Sequence, residues 1–306
     1  MSIIKACMVA NTIQNTGKEC DKAMGPAAML IAVPKRFTFT LTDLADPTMW
    51  LNTLIHASKA TRVYPLFGQS APIREISNDK ENDVIVTLDD GSSILIRYGF
   101  FNRMFSTTNG GLCYAKALQS LNSSGYSIIE IDKEGQMLCK DNGNDTYSGL
   151  VVDFMYAPSP TLSDLKNPYK NHFKMSYDSR EYVQHGIILA GASNLLALEG
   201  LIDAKIVNLA STTTYLAIDV VTDCGNADLV ALLGAPWLLP ANFIVKDVTG
   251  ASVTITAVTN VGGHLHLAGA FTSAAVYTVT GAAPSVLLAN SIDGYEIINT
   301  VSITIP

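Results

Sequence analysis

Two apolar runs flank the acidic pair Asp89 and Asp90, and both have the alternation expected of β-strands. Residues 84–88 read VIVTL and residues 94–98 read ILIRY, with Asp-Asp-Gly between them. Asp-Gly between two β-rich runs is a hairpin signal, because these residues tolerate the backbone conformations of tight turns. The pattern therefore predicts a hairpin whose two acids are turn residues and not a metal or acid–base site.

The same pattern recurs in the segment YSIIEIDKEGQMLCKDNG, residues 126–143. Here an apolar run ends at Lys133-Glu134-Gly135, and a second run follows. We therefore predict a second hairpin with these three residues at its tip.

Two segments have a helical period instead. In ADPTMWLNTLIHASKA, Asp46 is a predicted N-cap, Pro47 suits the first helical position, and Trp50, Leu51, Leu54 and Ile55 fall on one face. In LCYAKALQSLNSSG, a stripe of Leu112, Ala115, Leu118 and Leu121 predicts a second short helix. Helices of this kind pack on a sheet by their apolar face.

After residue 212 the chain consists of short Thr, Val and Ile runs separated by Gly, Ala and Asn, a pattern typical of a β-sandwich. The predicted class is α+β and β-rich. An antiparallel, barrel-like domain with two short flanking helices is followed by an immunoglobulin-like β-sandwich. The predicted boundaries are residues 1–190 for the first domain, 191–210 for a connecting segment and 211–306 for the sandwich.

The net charge of −7 and the pI of about 5.2 argue against a protein that binds nucleic acid through its phosphates, since such a protein needs a basic face. The acidity is uneven. Residues 201–306 contain two lysines and no arginine against seven acids. The two halves are therefore expected to differ chemically.

Five cysteines lie far apart without a C-x-x-C pair, which predicts reduced and mostly buried thiols. The first 20 residues are too polar for a signal-peptide core, and no run of about 18 apolar residues occurs. Synthesis in a cytoplasm and no membrane partner are the expectations.

No arrangement of residues predicts catalysis, a cofactor or a bound metal. His264 and His266 share one strand face but lack a third ligand, and residues 141–149 resemble a calcium loop without its final Glu. Phosphate-binding, dinucleotide-binding, metalloprotease and nucleophile-elbow motifs are all absent from the sequence. We therefore expect a structural or binding protein and not an enzyme, with no catalytic, cofactor-binding or metal residues.

Five segments between roughly residues 18 and 185 resemble one class of protein in their sequence pattern: KMSYDSREYV, DVIVTLDDGSSILIRYGFFNR, GGLCYAKALQSL, GYSIIEIDKEGQMLCKDNGNDTYSGL and VDFMYAPSPTLSDLKNPYKNHF. Together they resemble virion structural proteins of tailed bacteriophages of Bacteroidetes-type hosts. The later segment LPANFIVKDVTGASVTITAVTN is similar to the small β-sandwich modules that phage tail and capsid proteins append.

Within that class the chain resembles a tail tube protein. The resemblance implies a virion protein whose sheets join in hexameric rings that stack around a DNA channel. Its partners are copies of itself and other virion proteins, and DNA passes without specific binding, which an acidic surface favours. The hairpin tips, Asp89, Asp90 and Gly91 together with Lys133, Glu134 and Gly135, are the predicted inter-subunit contacts.

Two other functions remain open. A head decoration or minor capsid protein is compatible with the same sequence pattern. A major capsid protein fits less well, because that family resembles a fold with a spine helix longer than any helix predicted here. A carbohydrate-binding or adhesin module is the alternative outside the virion, and the lack of an export signal counts against it.

Overall fold

The computed structural model describes residues 5–7, 24–46, 48–67, 72–122, 125–166 and 168–306. The chain forms two compact units. The N-terminal unit comprises residues 1–55 and 59–199, and the C-terminal unit comprises residues 56–58 and 200–306. Among the described residues, no helix has the length and apolar character needed to cross a membrane.

The N-terminal unit is built on one large antiparallel sheet of twelve strands, within the described residues. Its main path runs β1-β14-β10-β9-β12-β13-β8-β5, with β2 and β11 branching from β9 and β10. A separate hairpin is formed by β6 and β7. The strands are β1 (Lys5–Cys7), β2 (Ala27–Pro34), β3 (Phe39–Thr40), β4 (Tyr64–Pro65), β5 (Arg74–Lys80), β6 (Val84–Thr87), β7 (Ser93–Arg97), β8 (Phe100–Thr107), β9 (Tyr126–Asp132), β10 (Met137–Gly143), β11 (Thr146–Ser148), β12 (Leu150–Tyr156), β13 (Asn171–Asp178) and β14 (Gly186–Leu189).

One cluster of buried apolar side chains joins distant parts of the sheet. Leu30 of β2, Phe105 of β8 and Phe173 of β13 all belong to it, although β2 and β13 lie on different parts of the strand path. Strand β2 is buried on both faces. Phe39, Trp50 and Tyr147 form a separate aromatic group. The predicted antiparallel, β-rich class with few helices is therefore confirmed.

The predicted first helix is a π-helix at Met49–Leu54. A short helix that the sequence did not predict, α1 (Leu41–Ala45), precedes it and begins at Thr40 in a capping box with Asp43. The Asp46 carboxylate accepts bonds from the amides of Thr48 and Met49, as expected of the predicted N-cap. The apolar face is partly wrong: Trp50 and Ile55 are buried, whereas Leu51 is exposed. Pro47 lies outside the described residues.

Helix α2 (Leu112–Ser120) confirms the predicted second helix. Ala115, Leu118 and Leu121 pack into the core, but Leu112 is exposed because it stands at the first turn, beyond the edge of the sheet contact. Two further helical segments complete this unit: α3 (Ser179–His185) and a 3-10 segment at Ser193–Ala197.

The C-terminal unit is a β-sandwich. One sheet has the order β19-β20-β16-β15-β22 and the other the order β18-β17-β21-β23, and buried side chains of both sheets form one core around Trp237. The strands are β15 (Ile202–Asn208), β16 (Tyr215–Thr222), β17 (Phe243–Lys246), β18 (Ser252–Val253), β19 (Ala257–Val261), β20 (His264–Ala268), β21 (Val276–Gly281), β22 (Tyr295–Ile297) and β23 (Thr300–Thr304). The helical segments are α4 (Leu229–Leu233), α5 (Pro284–Ala289) and two 3-10 turns at Ala235–Leu238 and Pro240–Asn242.

The strand order is the immunoglobulin-like one that the sequence predicts, since β19-β20-β16-β15 corresponds to strands D-E-B-A and β18-β17-β21-β23 to strands C′-C-F-G. The short strand β22, which pairs in parallel with β15, is an addition to this order. The segment 191–210, however, is more than a connection: β15 lies within it and pairs with both β16 and β22. This half-buried strand was not predicted, because Asp203, Lys205 and Asn208 make its sequence look polar.

The expectation of reduced thiols is wrong for Cys113 and Cys224, which are disulfide-bonded. Spacing along the chain gives no information on pairing in space, which is why the sequence does not reveal it. Cys139 is a buried free thiol, as predicted. Burial, and after it the charge of Asp141, raises the pKa of Cys139, so this thiol is chemically inert in the folded chain. Cys20 and the side chain of Cys7 lie outside the described part.

Candidate assembly surface

The β6–β7 hairpin closes on the turn that the sequence predicts. The Gly91 amide donates to the Leu88 carbonyl at 2.9 Å, and the Leu88 amide donates to the Ser92 carbonyl at 2.7 Å. Gly91 has φ +81, while Asp89 and Asp90 keep negative φ. This is a type I turn followed by a left-handed glycine. Asp90 accepts bonds from the Ser92 hydroxyl and amide, and the hydroxyl bond contributes most to lowering the pKa of this carboxyl.

Both faces of this hairpin are apolar and exposed to solvent. Ile85 pairs with Leu95 on one face, and Val86 pairs with Ile94 on the other. The exposed fractions of these four side chains lie between 41% and 58%, and Ile96 reaches 60%. Within the described residues, β6 and β7 pair only with each other. A two-stranded hairpin of this composition leaves apolar surface in water on two sides.

The root of the hairpin is fixed to the large sheet. Gly99 lies so close to the carbonyl of Glu81 that a Cβ atom would be 1.8 Å from that oxygen. The Arg97 guanidinium forms a two-point ion pair with Glu81, at 2.7 and 3.1 Å. The bonds from Arg97 lower the pKa of Glu81. The hairpin therefore starts at the end of β5 and β8 from a root that these contacts hold in place.

The second hairpin tip has the same turn but different surroundings. The Gly135 amide donates to the Asp132 carbonyl at 3.1 Å, and Gly135 has φ +77. Gly135 is buried, because the backbone of Ser193 packs on it at a distance of 2.5 Å from a Cβ position. Lys133 and Glu134 remain exposed. This tip is thus held against its own unit, and only its two charged residues are placed to contact another molecule.

The two tip glycines provide a matched pair for mutation. We expect Gly91→Ala to lower the free energy of unfolding by about 1 to 2 kcal/mol, the strain of a left-handed alanine. Gly135→Ala adds a backbone clash and is expected to cost about 3 kcal/mol or more in total. Urea unfolding followed by Trp50 fluorescence in a Trp237→Phe background measures both. Equal losses would mean that the Ser193 contact yields freely and does not hold the second tip.

A second surface, which the sequence analysis missed, is the outer face of β12-β13-β8-β5. Phe154 and Tyr156 of β12 are both exposed, with ring centroids 6.0 Å apart, and the Lys174 ammonium lies 5.8 Å from the Tyr156 centroid. Lys174 pairs in register with Tyr156 on one side and Met104 on the other. These residues line a shallow cavity. The alternation of Lys and His with Phe and Met in NHFKMSYD was the available signal for this face.

Charge is distributed unevenly over this outer face. Arg74 and His172 both pair with Ser106 at one end of the face, with Lys170 beside them, whereas Lys174 lies at mid-strand opposite Met104. Burial, and then the two lysines, lower the pKa of His172, which keeps it neutral near pH 7. Asp79 lies at the other end, next to the root of the hairpin. Arg74, Lys170 and Lys174 make no ion pair with any other residue that the structure describes.

The weaker candidates from the sequence have ordinary structural roles. The His264 ring donates from Nδ1 to the Asp219 carboxylate at 2.6 Å, and the His266 ring stacks on Tyr215 with centroids 4.1 Å apart. The calcium-like segment is a hairpin turn in which Asn144 and Asp145 both have positive φ, between β10 and β11. Across the described ranges, no three His, Cys, Asp or Glu side chains are grouped to hold a metal.

Comparison with models of protein families, with curated proteins and with solved structures finds no match to this chain.

Proposed function

We propose that this protein is a structural subunit that assembles with copies of itself through the β6–β7 hairpin. The observation that supports the proposal is the exposure of Ile85, Leu95, Val86 and Ile94 on opposite faces of a rigidly rooted hairpin. Apolar surface on both faces is costly in water, at about 25 cal/mol for each Å² left exposed. Contact with other subunits removes that cost on each face.

Within this proposal, the assembly is the tube of a phage tail, with hexameric rings stacked around a DNA channel. The acidity of the chain supports this choice, because DNA in a channel lined by acids is repelled and slides. The lysine-poor and arginine-poor C-terminal unit suits a decoration of the tube exterior. Disulfides at Cys113 and Cys224 are also compatible with a virion, an environment in which such bonds persist.

Negative-stain electron microscopy of the purified protein over a concentration series, with sedimentation velocity on the same samples, tests the proposal. Rings or tubes with an open central channel are the expected result. A persistent monomer or a compact trimer would overturn self-assembly into tubes. It would favour the alternative of a decoration protein that requires a capsid for binding.

A further inference from the structure

We propose that the β6–β7 hairpin of one copy docks on the outer face of β12-β13-β8-β5 of a second copy, with its acidic tip at the basic end of that face. The inference rests on the proposed self-assembly and identifies the surface that receives the hairpin. It depends on three observations: the apolar match between the two surfaces, their opposite charges, and the position of the hairpin root.

The two surfaces match in apolar character. The hairpin offers branched aliphatic side chains that no other described element covers. The outer face offers the rings of Phe154 and Tyr156 and the thioether of Met104 around a shallow concavity. Aromatic rings and methionine on an exposed sheet are typical of the centre of a protein interface. One face of a two-stranded ribbon fits across such a surface, and the other face remains for a further subunit.

The charges of the two surfaces are opposite. Asp89 and Asp90 stand at the hairpin tip, where no described cation is paired with them. Arg74 and Lys170 form the basic end of the outer face, and Lys174 lies toward its middle; none of the three has an ion-pair partner within the described part of the chain. Because Asp79 occupies the opposite end of this face, only one orientation places the tip acids beside the bases.

The position of the root indicates that the partner is a second copy. The hairpin leaves the sheet at Lys80 and Phe100, which is the Asp79 end of the outer face. Arg74 and Lys170 lie at the far end of the same strands, so the hairpin starts at the end of the face that is remote from these bases. One copy thus presents a donor hairpin and a free acceptor face. Such a heterologous interface repeats from copy to copy and generates rings or open stacks.

Charge reversal and restoration test this arrangement. The tip variant Asp89→Lys/Asp90→Lys and the face variant Lys170→Glu/Lys174→Glu are each expected to raise the concentration at half-assembly by about tenfold or more, since two to three exposed pairs become repulsive. The variant that combines all four changes is expected to return to within about threefold of the unchanged protein. Lys116→Glu and Glu199→Lys, which reverse exposed charges elsewhere, are the matched controls and should have little effect.

Mixing of two assembly-deficient subunits provides a second test. A subunit lacking residues 88–93 keeps its acceptor face, and the face variant keeps its hairpin. At a concentration at which neither subunit assembles alone, an equimolar mixture is expected to give a 1:1 complex that grows no further in sedimentation velocity.

The outcomes separate the two proposals. Assembly of the unchanged protein that is insensitive to the face variant, or a mixture without the 1:1 complex, would overturn the docking surface while self-assembly stands. Failure of the unchanged protein to assemble at any concentration would overturn the proposed function, and the docking surface with it. Circular dichroism of each variant verifies that it is folded before either comparison is made.

Discussion

Replacing Ile85, Ile94 and Leu95 with threonine is expected to abolish assembly and to leave the fold intact. Each side chain contributes about 1 kcal/mol or more of apolar burial to an interface, so the three changes raise the concentration at half-assembly by at least about 100-fold. All three are exposed in the single chain. The free energy of unfolding is therefore expected to change by no more than about 0.5 kcal/mol.

Sedimentation velocity and urea unfolding measure the two quantities on the same preparation. Val248→Thr is the matched control, because Val248 is 74% exposed but lies in a turn of the C-terminal unit. Deletion of residues 88–93 is the stronger form of the experiment, and a folded monomer is the expected product. If either hairpin variant forms normal rings or tubes, the hairpin is not the assembly element.

Local signals in the sequence were sufficient for the hairpins and for the general class of the fold. The Asp-Gly at residues 90–91 and the Glu-Gly at residues 134–135 specify turns by backbone chemistry alone, and both turns have the same hydrogen-bond pattern. The cap at Asp46 was predictable for the same reason. Each of these features depends on atoms within a few residues of one another.

Features that depend on distant parts of the chain were not predictable. The runs VIVTL and ILIRY look like buried strands, yet they are exposed because no third strand pairs with them among the described residues. The outer face depends on β12, β13, β8 and β5 becoming neighbours, and its basic end requires Arg74 and His172 to meet opposite Ser106. Arg74 and His172 are almost 100 positions apart in the sequence, and only the pairing of the strands brings them together.

Glu130 is the clearest case of such long-range dependence. In YSIIEID the alternation places this acid on the core side of β9, and its side chain is fully buried. Two distant groups make this tolerable: the Arg103 guanidinium and the Tyr177 hydroxyl both donate to its carboxylate. Burial, and then the charge of Glu130, raise the pKa of Tyr177, so the hydroxyl stays protonated and remains a donor. Arg103 also donates to Glu75 at 2.8 Å.

We expect Glu130→Ala to lower the free energy of unfolding of the N-terminal unit by about 3 to 5 kcal/mol, because it leaves the buried Tyr177 hydroxyl without its acceptor and the largely buried Arg103 guanidinium with Glu75 alone. Tyr177→Phe removes one bond to a charged group and is expected to cost about 1.5 to 3 kcal/mol. Arg103→Met combined with Glu130→Leu is expected to recover only part of the loss, since it replaces the buried pair by apolar side chains but leaves Glu75 without its cation and the Tyr177 hydroxyl without its acceptor.

Urea unfolding of these variants in a Trp237→Phe background measures the losses, because Trp50 then reports on the N-terminal unit alone. Glu134→Gln, an exposed change four residues along the chain, is the control and should stay within about 0.5 kcal/mol. A loss below about 1 kcal/mol for Glu130→Ala would mean that Glu75 alone compensates Arg103. A loss as large for the apolar double variant as for Glu130→Ala would mean that Glu75 and the Tyr177 hydroxyl, left unpaired, cost as much as the unpaired Arg103. The expected order, with Glu130→Ala lowest and both Tyr177→Phe and the double variant closer to the unchanged protein, follows from uncompensated burial as the cause.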